Sequence, residues 1–339
     1  EELEPDKRKK GNTNKNEVEF GPIADFSKCT QKHKDAITSD SSYPKYNDTL
    51  RMQGVKHLVT VVDNPPPKLP HAIPMEPPIR KIFEEWTDVM EANGCISRLS
   101  PEEFNQCKYV LYHIPVLKRG AQAPYKLGDY RFALEASHLS KVIEKAAAFS
   151  FATRTHLRDF VKGKTLFSVL DASKFFPTIP AEYNSLFCFY SRGMAYKYNV
   201  VVQGEHTAPA AAHKVMMAMF QDLVAKGQLL IHVDDIIIAT EGGEEHLELL
   251  ENVFTTLAQF GVNINAGKCV ICRPSVSFLG MRISKNGIQP DLMRYSSIFL
   301  WPEPKTKRQL QKFIGFMNYF HTFIENCAHR LTPLREAVQ

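Results

Sequence analysis

The chain of 339 residues is 44% hydrophobic and 23% charged, values that are ordinary for a folded protein long enough to form two or more subdomains. A net charge of +5 is compatible with a polyanionic partner without proving one. No apolar run approaches the roughly 20 residues of a membrane-spanning helix, and the seven scattered cysteines are typical of a reducing compartment. We therefore expect a protein outside the membrane whose fold does not depend on disulfides.

The N-terminal 45 residues are polar, include a basic cluster at 7–10 and are predicted to be flexible. A strand is predicted over 55–62, before a proline-rich connector. Apolar residues then recur at helical spacing over 79–90, and Asn93-Gly94 is a typical helix end.

Residues 108–117 and 125–134 are each typical of a strand, and the basic turn Lys118-Arg119-Gly120 lies between them. The stretch 136–162 that follows is helical and loop-like in pattern, with several basic side chains. The sequence therefore predicts a small mixed subdomain whose hairpin tip is basic.

Two apolar segments carry aspartates. Residues 165–170 precede Asp171, and residues 229–240 hold Asp234 and Asp235 in their middle. Read as strand, tight turn and strand, the second segment places its two carboxylates at the tip of a buried hairpin. Burying an unpaired carboxylate is costly, so these groups should be paired, face solvent or hold a metal ion. Mg²⁺ fits because it prefers oxygen ligands, and an Asp-Asp turn in an ordinary hairpin is the alternative.

The remaining elements alternate helices with strands. Pro209 stands in the first turn of a helix with a Met-rich stripe that we interpret as core, and 244–260 is an amphipathic helix. Strands are predicted over 269–271 and 276–283, and Thr306 with Gln309 forms a capping box before a final helix. The order predicts an α+β fold, with an antiparallel sheet, helices on one face and a helical C-terminal part.

Taken in order, these motifs resemble the reverse transcriptase of LTR retroelements, of the gypsy type and of retroviruses, over residues 55–335. His232-Val233-Asp234-Asp235 stands where that family has Tyr-x-Asp-Asp, and Phe167-Ser168-Val169-Leu170-Asp171 matches its first catalytic strand. The other matching motifs are Val55-Lys56-His57, Met90-Glu91, Gly94-Cys95-Ile96-Ser97, Asp129-Tyr130-Arg131, Phe278-Leu279-Gly280, Gly287-Ile288 and residues 313–320.

The resemblance implies a right-hand polymerase fold of fingers, palm and thumb, and an RNA-directed DNA polymerase activity. After the flexible segment at 1–45, the expected fingers span 46–164, the palm 165–284 and the thumb 285–339. Part of the fingers is expected to be interleaved between 177 and 205.

For the reaction itself, the resemblance implies two Mg²⁺ ions, with Mn²⁺ as a substitute, bound at Asp171, Asp234 and Asp235 beside Ala172. Asp171 and Asp234 would bridge the two ions and Asp235 would be the less direct ligand. The residues implied at the incoming nucleotide are Lys118, Arg119, Lys126, Phe176, Gln203 and Val233. Those implied at the primer and template are His232, Gly280, Met281, Lys305, Lys307 and Lys312.

The implied partners are an RNA template, a DNA or RNA primer, deoxynucleoside triphosphates and RNase H or integrase parts of the same polyprotein, and no membrane. The implied location is the cytoplasm, inside virus-like particles, with a later nuclear stage as an alternative. Two residues depart from the family: His232 replaces a tyrosine, and Tyr125 stands where a phosphate-binding arginine is expected. They support an alternative, a domesticated nucleic-acid-binding scaffold that kept the fold without the chemistry.

Overall fold

The computed structural model describes residues 19–20, 37–38, 45–59, 74–118, 120–144, 153–172, 174–183, 186–291, 295–296 and 300–338. Within them the strands are β1 (Glu19–Phe20), β2 (Ile37–Thr38), β3 (His57–Leu58), β4 (Ile96–Arg98), β5 (Tyr109–Leu111), β6 (His113–Leu117), β7 (Tyr130–Leu134), β8 (Leu166–Asp171), β9 (Ala181–Glu182), β10 (Phe187–Ser191), β11 (Met194–Tyr198), β12 (Leu229–His232), β13 (Asp235–Thr240), β14 (Ile264–Asn265), β15 (Val270–Arg273), β16 (Ser275–Phe278), β17 (Met281–Ser284) and β18 (Gly287–Pro290).

The helices are α1 (Asp48–Met52), α2 (Pro77–Ala92), α3 (Pro101–Gln106), α4 (Arg154–Val161), α5 (Ala208–Met219), α6 (Gln221–Ala225), α7 (Gly243–Gln259), α8 (Lys307–Tyr319) and α9 (Cys327–Glu336). This mixture of helices and strands is the α+β class expected from the sequence. Among the described residues, every helix is too short or too polar to span a bilayer.

The central sheet has the strand order β1-β15-β8-β13-β12 and is antiparallel except for β1, which runs parallel to β15. In β13, Ile236 and Ile238 pack with the helices on one face, whereas Ile237 packs on the other face. All three side chains are fully buried. A strand that is covered on both faces reads as a continuous apolar run, which explains the lack of alternation in this segment.

Helices α5 and α7 cover the first face. In α7, Leu250, Val253, Phe254 and Leu257 are fully buried at the spacing of one helical face, and each contributes about 1.5–3 kcal/mol by leaving water. Glu244 and Glu245 lie in its first turn, where their negative charges interact favourably with the positive end of the helix dipole. Both helices therefore form where the apolar periodicity predicts them.

The second face is covered by α4 and by the small antiparallel sheet β16-β17-β18, through Leu157, Val161, Val276, Phe278 and Ile283. The sequence prediction of a single strand over 276–283 is wrong. The chain turns at Leu279 and Gly280, where φ is +49° and +71°, and pairs β16 with β17. Positive φ at consecutive residues is incompatible with a continuous strand.

A second sheet, with the order β4-β11-β10-β5, packs against α2 and the hairpin β6-β7. We call Phe83, Trp86, His113, Phe132 and Phe189 the aromatic core; their ring centroids lie 4.6–6.4 Å apart where they contact. The predicted strand over 108–117 is in fact two strands that break at Tyr112 and enter different sheets. Pattern alone does not show this change of partner.

Two parts of the N-terminal 45 residues pair with the rest of the chain. Glu19–Phe20 pairs with Val270 and Ile271 at the edge of the central sheet, and Ile37–Thr38 pairs with β14. Of the strand predicted over 55–62, the structure has only β3, and residues 60–62 lie outside the described part.

Candidate active site

Two neighbouring strands of the central sheet bring the three aspartates together. Asp171 is the last residue of β8 and Asp235 the first of β13, and the two are direct partners in the antiparallel register. Asp234 lies in the preceding turn, where its carbonyl oxygen accepts a hydrogen bond of 3.1 Å from the amide of Ala172. Carboxylates that are 63 residues apart in the sequence thus meet at one end of one sheet.

The turn between β12 and β13 has a strained backbone. Val233 has φ +63°, which costs a β-branched residue about 1–3 kcal/mol. Its amide donates to Nδ1 of His213, a buried residue of α5, over 3.4 Å. Burial, with the neighbouring His232, lowers the pKa of His213, which favours the neutral ring that can accept this bond. Helix α5 therefore helps to hold the turn that carries Asp234.

The charges at this end of the sheet are mainly negative. Burial raises the pKa of Asp234 above its ordinary value, and the charge of Asp171 adds to the rise while that of Lys268 opposes it. Lys268 Nζ lies 3.1 and 3.2 Å from the two carboxylate oxygens of Asp171. The Lys268 ammonium therefore offsets part of the negative charge of Asp171 and Asp234.

The three aspartates offer hard oxygen ligands, the type that Mg²⁺ binds. Burial raises the pKa of Asp234, and a bound cation would favour its ionised form. In the described ranges, no three or more His, Cys, Asp or Glu side chains converge as a ready-made metal site. Asp171 instead has both oxygens within reach of Lys268.

The predicted nucleotide residues of the β6-β7 hairpin lie around Asp129. The amide of Lys118 donates to the carbonyl oxygen of Asp129 over 2.8 Å, and the amide of Lys126 donates to its carboxylate over 2.9 Å. Tyr125 is 43% exposed and meets Tyr130 edge to face at 5.9 Å, so the residue that replaces the expected arginine belongs to an aromatic pair. Arg119 lies outside the described residues.

Phe176 and Gln203 occupy different surroundings. Phe176 begins the 3-10 turn Phe176–Thr178 and is half-buried against the core of the central sheet. Gln203 is exposed in the turn before α5, where Gly204 has φ +109°. A Cβ on Gly204 would overlap the carbonyl oxygen of Leu134 in β7, so this turn requires glycine.

On the predicted primer side, His232 ends β12 and burial lowers its pKa. Gly280 and Met281 are buried at the turn between β16 and β17. The predicted phosphate-contacting residues Lys305, Lys307 and Lys312 are exposed at the start and along the side of α8. That helix begins with the predicted capping box, since Thr306 and Gln309 exchange bonds of 3.0 and 3.2 Å.

Two residues of the site are absent from the sequence-based interpretation. Lys268 lies in the turn before β15, which pairs with β8 and so brings the lysine beside Asp171, and nothing in its local pattern indicates that pairing. His213 does carry a signal, because it is a polar residue within the apolar helix that we interpreted as core alone.

A known protein family matches the part of the chain that contains the three aspartates. The model of the family described as "Reverse transcriptase (RNA-dependent DNA polymerase)" matches residues 116–283, which include Asp171, Asp234 and Asp235. The retrovirus-related Pol polyprotein from transposon 297 of Drosophila melanogaster is 28% identical over 175 residues, 51% of this chain and 16% of that protein. The transposon Tf2-3 polyprotein of Schizosaccharomyces pombe is 25% identical over 219 residues, 64% of this chain and 16% of that protein.

Two solved structures share the fold. The foamy viral protease-reverse transcriptase dRH in complex with double-stranded DNA has a TM-score of 0.73 at 19% identity, over 95% of this chain and 54% of that chain. The foamy viral protease-reverse transcriptase in complex with an RNA/DNA hybrid has a TM-score of 0.73 at 19% identity, over 96% of this chain and 41% of that chain. This likeness confirms the right-hand polymerase fold. Residues 116–283 therefore belong to the reverse transcriptase family, and the chain, which spans about a sixth of the length of the curated polyproteins that it matches, is similar to Pol polyproteins of LTR retrotransposons.

Proposed function

We propose that this chain is the RNA-directed DNA polymerase of an LTR-retroelement polyprotein and extends a primer on an RNA or DNA template. The observation that carries the proposal is the register that pairs Asp171 with Asp235 and places Asp234 in the adjoining turn. Nucleotidyl transfer by two divalent ions needs carboxylates close together, and the pairing of Asp171 with Asp235 beside Asp234 supports this assignment.

In this reaction Asp171 and Asp234 would hold two Mg²⁺ ions, or Mn²⁺, with Asp235 as the less direct ligand and Ala172 beside them. The bound ions would activate the primer 3′-hydroxyl and neutralise the triphosphate. The chain itself positions the carboxylates: β8 and β13 fix Asp171 and Asp235 by their register, and His213 supports the turn at Val233. Lys268 offsets the charge of Asp171 before an ion binds.

The domain boundaries inferred from the sequence belong to the same proposal, with fingers at 46–164, palm at 165–284 and thumb at 285–339. The β6-β7 hairpin would present Lys118, Arg119 and Lys126 to the triphosphate, because phosphoryl-type transfer depends on cationic positioning. Phe176 would press on the sugar and exclude a 2′-hydroxyl, and Gln203 and Val233 would contact the nucleotide.

On the primer side, His232, Gly280 and Met281 would hold the primer end. Lys305, Lys307 and Lys312 would contact phosphates, which makes binding of the duplex dependent on salt. RNase H and integrase parts of the same polyprotein are the proposed covalent partners, and virus-like particles in the cytoplasm the proposed location.

The test is primer extension on an RNA template with Mg²⁺, comparing the unaltered chain with Asp234→Asn. We expect the variant to lose at least about 10³-fold in rate, because a metal ligand is removed, while primer-template affinity stays within about threefold. Its melting temperature should not fall, because the raised pKa of Asp234 shows that its ionised carboxylate is unfavourable in the folded state.

Asp222→Asn, at an exposed position of α6, is the matched control and should extend primers at the unaltered rate. Full activity of Asp234→Asn would contradict the metal assignment. An unaltered chain that binds primer-template but does not extend it would favour the non-catalytic scaffold instead.

A further inference from the structure

Arg154, the first residue of α4, makes an unusual set of contacts with the C-terminal helical part. Its guanidinium carbon lies 4.5 Å from the ring centroid of Tyr319 and 5.7 Å from that of Phe323. Its Nη1 also donates a hydrogen bond of 3.1 Å to Oγ1 of Thr322. The planar guanidinium can stack on rings and donate at its edge at the same time, which a lysine cannot do.

Tyr319 continues this contact into the turn at Leu279 and Gly280. Its hydroxyl donates to the carbonyl oxygen of Leu279. A Cβ on Gly280 would overlap the hydroxyl groups of Tyr295 and Tyr319, so the turn fits closely beneath the two tyrosines. The ring of Tyr295 lies 5.6 Å from that of Tyr319.

We infer that Arg154 is a positioning residue that fixes helix α8 against the turn at Leu279 and Gly280, and that this determines how long a primer-template duplex stays bound. We call Arg154, Tyr319, Thr322 and Phe323 the Arg154 clamp. Helix α4 is anchored beside the central sheet through Leu157, so the clamp connects a fixed element to the C-terminal helices.

Helix α8 also carries two of the lysines that are proposed to contact the duplex. Lys307 and Lys312 lie on the same helix as Tyr319, so a change in the position of Tyr319 moves these cations relative to the duplex. Arg154 lies on α4, outside the β8-β13 register that positions the aspartates. Loss of the clamp should therefore shorten the lifetime of the complex and leave the chemical step intact. This inference rests on the proposed function only in naming the duplex as the ligand.

The experiment compares Arg154→Met, Arg154→Lys and the matched control Arg158→Met, an exposed position on the same helix. The dissociation rate of a fluorescent RNA/DNA primer-template is measured with a heparin trap, and product length in a single binding event reports processivity. We expect Arg154→Met to dissociate about fivefold faster and to make shorter products. The single-turnover rate of preformed complexes should stay within about twofold. Arg154→Lys, which keeps the charge over the ring, should dissociate at a rate between those of Arg154→Met and the unaltered chain. Arg158→Met should dissociate at the rate of the unaltered chain.

Hydrogen exchange without nucleic acid separates this inference from the proposed function. Arg154→Met should speed amide exchange in α8 and at residues 279–281, and leave exchange in β8 and β13 unchanged. A chain that binds duplex without extending it refutes the polymerase proposal, whereas the dissociation and exchange data still test the clamp. A folded Arg154→Met variant with unaltered dissociation and unaltered exchange would overturn the clamp and leave the polymerase proposal standing.

Discussion

The central sheet and the second sheet differ in where they place polar groups. The central sheet ends in Asp171, Asp234 and Asp235 and has a strained residue in its end turn. The second sheet contributes Phe189 to the aromatic core, and this ring contacts other rings on several sides without any exposure to solvent. One sheet therefore ends in a cluster of carboxylates, whereas the other supports the β6-β7 hairpin through an apolar core.

Each region also contains a buried histidine, held in a different way. On helix α7, which covers the central sheet, His246 lies between the hydroxyls of Ser168 and Thr240 of that sheet, at 2.6 Å from each. In the aromatic core, the Nε2 of His113 lies 2.5 Å from the hydroxyl of Tyr198, and its ring contacts other rings. Burial lowers the pKa of His246 to about 4 and that of His113 to about 3. Both rings are therefore neutral in the folded protein near neutral pH.

The largest effect on stability is expected from Phe189→Ala. This substitution should lower the free energy of unfolding by about 3–5 kcal/mol, because it leaves a cavity among the aromatic rings. Urea unfolding followed by fluorescence measures this change. Tyr190→Ala, at the neighbouring position that is 48% exposed, is the control and should cost about 1 kcal/mol or less. Equal losses for the two variants would contradict the role assigned to the aromatic core.

The next effect is a loss of stability in acid. The unfolded chain, with histidine pKa values near 6.5, takes up protons that the folded His113 and His246 do not. Their contribution to stability is complete above about pH 6.5 and is lost as the pH falls toward about 4 for His246 and about 3 for His113, with a slope of up to about 1.4 kcal/mol per pH unit for each histidine.

Urea unfolding at several pH values tests this dependence. His113→Phe should remove about half of the slope between pH 6 and 5, even though it also lowers stability overall. His329→Gln, at an exposed position of α9, should leave the slope unchanged. An unaltered slope in His113→Phe would show that carboxylates or other groups cause the acid sensitivity.

The smallest effect concerns the charged end of the central sheet. Lys268→Met should tighten Mn²⁺ binding about two- to fivefold, because an incoming cation no longer competes with the ammonium for Asp171. Electron paramagnetic resonance titration without nucleic acid measures this affinity, with exposed Lys226→Met as the control. Weaker binding in Lys268→Met would mean that the lysine supports the ion site instead of competing with it.

The sequence predicts best what depends on neighbouring residues. The hairpin at Asp234 and Asp235 is signalled by its β-branched flanks, and the start of α8 by Thr306 and Gln309. Helix α2 is likewise close to its predicted bounds, because one apolar stripe and one Asn-Gly end define it. These local signals, together with the resemblance, are sufficient to place the three aspartates at strand ends.

Features that depend on pairing between distant segments are not predicted. Lys268 meets Asp171 through a strand pair with an irregular register between Val270 and Arg273, and the amide of Cys272 there donates to Ser168 Oγ over 2.9 Å. The break at Tyr112 likewise reflects two different partner strands. A sequence pattern records which face of a strand is apolar, but not which strand lies beside it.

The pairing of Glu19–Phe20 with β15 has a practical consequence for protein production. This short segment is the edge strand of the central sheet. Its removal would leave main-chain groups of β15 free to pair with another molecule. Truncated versions should therefore begin before residue 19. A protein that starts just after residue 20 would expose the edge of β15, and we expect it to self-associate.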